Sequence, residues 1–162
     1  MAAASGATTS ASSLTLVGGA KFRPFRNVWM LEELGVPYTH VDVFPRTDEA
    51  NAVNPLGKVP TLKDGDFVLY ESAAINTYLG DKFRGQEGMP VLVPPPATQA
   101  RGRYEQLICF LVAEVDSQGL WIHRKHAALS KVFGAIPEAV EVAKQHTVQC
   151  FGVLAAELKK GG

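Results

Sequence analysis

The chain has 162 residues, of which 46% are hydrophobic and 20% charged, and its sixteen basic residues balance sixteen acidic ones. This length holds one ordinary domain or one small domain with part of a second, and the composition is that of a globular chain rather than a disordered one. A zero net charge provides no field toward nucleic acid or an anionic membrane surface, and no apolar run reaches the roughly 18–20 residues that span a bilayer. Neither nucleic acid nor a membrane is therefore an expected partner. Cys109 and Cys150 form no disulfide framework and no paired metal-ligand spacing, so they read as buried thiols in a reducing, cytoplasmic compartment.

Residues 1–13 are almost entirely Ala, Ser, Thr and Gly. They lack both the basic start and the apolar core of a secretory signal, and a disordered tail is expected. Leu14-Thr-Leu-Val17 is a strand candidate closed by Gly18-Gly19. Phe25, Val28, Trp29, Leu31 and Leu34 follow at helical spacing, with Gly35 at the position of a C-cap. Tyr38 to Phe44 alternates and is rich in β-formers, so a strand–helix–strand unit with parallel pairing is expected. Pro45 to Gly57 is polar and punctuated and reads as irregular backbone.

Val59 to Lys63 and Phe67 to Tyr70 flank Asp64-Gly65-Asp66, a hairpin signal. Pro60 lacks an N–H, which makes its strand distorted or edge-like there. Ser72 is placed to cap a helix running through Ile75, Tyr78, Leu79 and Phe83. Arg84 to Pro96 carries two glycines and four prolines and reads as a linker. Beyond it only helices are expected: Thr98 to about His123, with Tyr104, Leu107, Ile108, Leu111 and Val115 on one side, and about Pro137 to Lys160.

Chemistry concentrates between Lys58 and Ser72. A strand interrupted by proline leaves the preceding residue, Val59, free to pair with an extended peptide. A helix N-terminus at Ser72 offers N–H groups and positive dipole to a carboxylate. The Ser72 hydroxyl can donate to that carboxylate, Glu71 can accept from an ammonium group, and Lys58 can meet a second carboxylate. Together these describe a small zwitterionic peptide.

Asn54-Pro-Leu-Gly-Lys-Val-Pro-Thr-Leu62, the hairpin, Glu71-Ser-Ala-Ala-Ile75 and Leu31-Glu-Glu-Leu-Gly-Val-Pro-Tyr38 resemble the soluble glutathione transferase family. The resemblance is close over about residues 14–83 and looser over 97–160. It implies a thioredoxin-like α/β domain (βαβ-ββα, residues 14–83), a linker (84–96) and a partial all-helical domain (97–162). It also implies glutathione as co-substrate, no metal, a small hydrophobic electrophile as second substrate, and a homodimer. By residue, Val59, before a proline that is cis in the family, would pair its backbone with the cysteinyl unit. Glu71 and Ser72 would hold the γ-glutamyl end. Lys58, helped by Arg46, would meet the glycyl carboxylate. Tyr104 and Trp121 fall where the family lines its electrophile pocket. The family's second domain continues with a capped central helix. This sequence ends in Lys159-Lys-Gly-Gly162, so its helices are expected to show apolar faces without that partner.

Catalysis needs the glutathione thiolate, which forms where a donor or positive charge stabilises it. The family supplies a Tyr at the end of the first strand, or a Ser or Cys near the start of the first helix. Here Val17 fills the first position, and Gly18-Gly-Ala-Lys-Phe-Arg-Pro-Phe-Arg26 contains none of the three. The expected replacements are the helix N–H groups with Lys21, Arg23 or Arg26, or a donor such as Asn27 or Tyr104. The alternative function is a non-catalytic transferase-like module for protein assembly. A glutathione-dependent redox role is disfavoured, because no cysteine lies in the first helix or its loop.

Overall fold

Alternating apolar residues make a short strand, β1 (Leu14–Val17), whose Leu14, Leu16 and Val17 are buried. The computed structural model describes residues 13–160, which divide into two compact units between Val93 and Pro94. The tail expected over residues 1–13 lies, Ser13 apart, outside the described residues. In the first unit, α1 (Phe25–Leu34) ends at Gly35, whose φ of 65° is the left-handed C-cap that glycine adopts without penalty. Next come β2 (Thr39–Val41), α2 (Asp48–Val53), β3 (Thr61–Asp64), β4 (Phe67–Tyr70) and α3 (Ser72–Lys82).

The strands form one mixed sheet in the order β2-β1-β3-β4. β1 and β2 run parallel, with Thr15 opposite Thr39, while β3 is antiparallel to both of its neighbours. Gly65, at φ 60°, makes the tight turn that sets Asp64 opposite Phe67. α1 packs against α3. Leu16, Leu31, Leu62, Ile75 and Leu79 are fully buried, each stabilising the fold by about 1.5–3 kcal/mol.

The hairpin is also fastened to α3 through one carboxylate. Asp64 accepts from Lys82, from the Tyr78 hydroxyl at 2.6 Å and from the Ser13 hydroxyl at 2.7 Å. The Lys82 and Tyr78 hydrogen bonds pull the Asp64 pKa down to about 2, and burial and the Asp64 bond raise that of Tyr78.

The second unit is helical: α4 (Gln99–Phe110), a π-helical segment (Leu111–Leu120), α5 (Trp121–His126), α6 (Ser130–Phe133) and α7 (Pro137–Lys160). Thr98 caps α4 by accepting from the Arg101 N–H at 3.1 Å. α7 packs on the π-helical segment and on α5. Gly119 permits the approach, since a Cβ there would stand 2.4 Å from the Thr147 hydroxyl. Burial raises the Cys150 thiol pKa, with the Glu114 charge adding to it.

Several local expectations are corrected. Pro45 to Gly57 contains α2, because Thr47 accepts from the Ala50 N–H at 3.3 Å and Asp48 and Glu49 occupy the first turn. β2 is three residues long rather than reaching Phe44. Pro60 precedes β3, which is a central strand and not an edge. The helix expected from Thr98 to His123 changes to i→i+5 bonding at Leu111. Ser72 is the first residue of α3, and Glu71 holds the cap position with no capping side-chain bond.

Candidate functional site

Three chain segments meet at the end of β1. Gly18 has φ 126°, and a Cβ on it would stand 2.6 Å from the Cβ of Val59 and 2.7 Å from the Cγ of Pro24. Only glycine lets the strand end, the entry to α1 and the Val59 segment approach so closely. The Val59–Pro60 bond is cis, with Val59 half-buried and Pro60 buried.

The loop before it is held by Asn54, which is buried. Its Nδ2 donates to the Lys58 carbonyl at 3.1 Å and its Oδ1 accepts from the Leu56 N–H at 3.0 Å. The Lys58 side chain is exposed. Arg46, at φ 68°, donates its N–H to the Gly57 carbonyl at 2.7 Å, which brings it beside the Lys58 loop. Two cationic side chains thus stand on neighbouring backbone.

The start of α3 is tied to the first turn of α1. Arg26 Nη1 donates to Ser72 Oγ at 3.2 Å. Asn27 Nδ2 donates to the Ser72 carbonyl at 2.8 Å and to Asn76 Oδ1 at 2.6 Å, while Asn76 Nδ2 donates to the Arg26 carbonyl at 3.3 Å. Ser72 is buried, and Glu71 beside it is exposed with a φ of 75°.

The structure narrows the means of stabilising a thiolate. The N–H groups of Phe25, Arg26, Asn27 and Val28 donate to the carbonyls of Phe22, Arg23, Pro24 and Pro24. They are therefore engaged within the turn. Asn27 has both amide protons committed, so it has no donor left for sulfur. Lys21 and Arg23 are exposed in the loop.

In the second unit, the Arg101 guanidinium lies 5.7 Å from the centre of the Tyr104 ring, and Trp121 meets Phe133 edge-on at 5.8 Å. His126 Nδ1 lies 2.9 Å from the Gly134 carbonyl and His123 is exposed. Among the described residues no group of three or more His, Cys, Asp or Glu is placed to hold a metal ion.

The joint role of Arg26 and Asn27 at Ser72 was missed from sequence. A signal existed: Asn27, Met30, Leu31 and Leu34 follow the buried stripe of α1, and a polar residue on such a stripe requires partners.

The model of the glutathione S-transferase N-terminal domain matches residues 24–82. Glutathione S-transferase 3 of Zea mays is 46% identical over 112 residues, covering 64% of this chain and 44% of that protein. The apo structure of human glutathione S-transferase T1-1 is similar with a TM-score of 0.70 and 27% identity, over 87% of this chain and 61% of that one. The theta-class transferase of Xanthomonas axonopodis pv. citri with glutathione bound superposes with a TM-score of 0.74 at 24% identity, over 91% of this chain and 71% of that one. The chain spans less than half the length of the curated relatives it matches. The fold is thus a thioredoxin-like domain followed by a helical part, and residues 24–82 carry the glutathione S-transferase N-terminal domain.

Proposed function

We propose that the sheet-bearing unit binds glutathione and that the protein conjugates the glutathione sulfur to small hydrophobic electrophiles. The observation that carries this reading is the pairing of a Val59 backbone site, brought against Gly18, with a helix N-terminus at Ser72 that no side chain caps. Val59 pairs with the cysteinyl backbone beside Pro60. Ser72 and Glu71 hold the carboxylate and the ammonium of the γ-glutamyl unit, and Lys58 with Arg46 meets the glycyl carboxylate. The Xanthomonas relative with glutathione bound supports the ligand. Lys21 and Arg23 supply the positive charge that favours the thiolate. The sulfur attacks the electrophile's carbon, and that carbon's bond to its leaving group, such as a halide, breaks. Tyr104 and Trp121 line the electrophile's pocket in the helical unit. The working form is a cytoplasmic homodimer, and the reaction uses no metal.

Retention on immobilised glutathione, followed by turnover of an aromatic halide, tests the proposal. Binding that Ser72→Ala weakens and turnover that Arg23→Ala reduces are expected; failure of the chain to bind glutathione would overturn it. The loop Gly18–Arg26, without Ser, Cys or Tyr, favours a second reading: a glutathione-binding module for protein assembly that performs no conjugation. Binding without turnover would select that reading.

A further inference from the structure

We infer that Arg26 is a positioning residue: it fixes the direction of the Ser72 hydroxyl so that the serine proton is presented to the carboxylate of a bound γ-glutamyl group. The inference rests on the glutathione-binding reading above and adds to it a residue outside the ligand's own contacts.

A guanidinium carries only donors. In the 3.2 Å contact between Arg26 Nη1 and Ser72 Oγ, the serine oxygen must therefore be the acceptor. That engages a lone pair and leaves the hydroxyl one proton to donate. Among the described residues none accepts that proton. The backbone of the same residue is fixed independently, because Asn27 donates to the Ser72 carbonyl at 2.8 Å even though this leaves its own buried Oδ1 unpaired. Asn76 closes the ring by donating to the Arg26 carbonyl. Both the carbonyl and the hydroxyl of Ser72 are thus set by adjacent residues of one helical turn, forty-five and forty-six positions away in sequence. A hydroxyl polarised by a cation at its oxygen is a stronger donor through its proton. A plain packing role for Arg26 would require neither the hydroxyl contact nor the second hold on the same serine.

Calorimetric titration of the full chain with glutathione tests this in a cycle of Arg26→Gln, Ser72→Ala and the double variant, each checked by thermal melting. Arg26→Gln is expected to weaken binding about tenfold with Ser72 present, as for a charged hydrogen bond, and less than about twofold in the Ser72→Ala background. An analogue lacking the γ-glutamyl α-carboxylate is expected to bind the parent chain and Arg26→Gln alike. Should Arg26→Gln fail to fold, Arg26→Lys runs the same cycle. Its single ammonium does not reproduce the planar fork, and a loss of about threefold that vanishes without Ser72 is expected. An equal loss with and without Ser72, or an equal loss for the truncated analogue, would show Arg26 acting other than through the Ser72 hydroxyl and overturn the inference. If the parent chain binds and Ser72→Ala weakens it while Arg26→Gln does not, the inference alone falls. If the parent chain does not bind glutathione, the binding reading falls with it.

Discussion

The two units hold themselves together differently. The sheet-bearing unit buries large side chains from every layer, Leu16, Leu31, Leu62, Ile75 and Leu79 among them, and its polar links join residues far apart in sequence, as Arg26 to Ser72 and Lys82 to Asp64 do. In the helical unit the buried hydrophobic residues are Val115, Ala143 and Cys150, while Phe151, Val148 and Leu158 of α7 stay exposed. Its ion pairs Arg101–Glu105, Lys144–Glu141 and Lys160–Glu157 are each one helical turn apart, while Arg103–Glu157 and the 3.2 Å contact of His146 with Glu114 cross between segments. Long-range closure gives the first unit a rigid frame on which a ligand's charges can be matched. The second relies on local helix formation and one seam around Gly119 and Thr147.

The largest effect is expected at the centre of the sheet. Leu62→Ala, at a fully buried position, is expected to cost about 2–5 kcal/mol in chemical denaturation, whereas Leu158→Ala, at a side chain 79% exposed, stays within about 0.5 kcal/mol. Comparable losses at the two sites would erase the contrast. Gly18→Ala follows: it puts a Cβ 2.6 Å from that of Val59 at a φ of 126°, for about 1–3 kcal/mol. Because relief of the overlap moves Val59, glutathione affinity should fall as well.

Asp64→Asn comes third, at about 1–2 kcal/mol near neutral pH. The carboxylate's folded pKa of about 2 lies below its ordinary 3.8, so its stabilisation is complete above that ordinary value. It declines as the pH drops below 3.8 and is lost through about 2. Melting curves of parent and variant should therefore converge in acid, and a constant gap would assign the effect to packing. The smallest effect is chemical. A thiol-specific dye should modify exposed Cys109 first and reach Cys150, which is buried with a raised pKa, only as the helical seam opens. Equal rates would show that the seam opens freely in the native state.

Elements with a strong local pattern were legible in the sequence. β1, the Asp64–Phe67 turn, the apolar faces of α1 and α3, and α7 from Pro137 all follow from periodicity, caps and turn residues. α2 was legible too, through Thr47, Asp48 and Glu49, but the prolines and glycine around it outweighed that signal. At the site, the sequence pointed to Val59 and Ser72, whereas the meeting of Gly18 with Val59 depends on strand pairing across the sheet. The hold of Arg26 and Asn27 on Ser72 likewise arises only when α1 and α3 pack. The switch to i→i+5 bonding at Leu111 left no mark in composition.

That π-helical stretch gives the helical unit spare length. Each of its turns holds more residues than an α turn needs. A single deletion between Val112 and Gln118 can be absorbed by tightening one turn to i→i+4 bonding, which rotates α5 without unwinding its flanks. The same deletion in α7 has no such reserve. It would swing Ala143, Thr147 or Cys150 off their buried face, so the two long helices of one unit are expected to differ sharply in their tolerance of insertions and deletions.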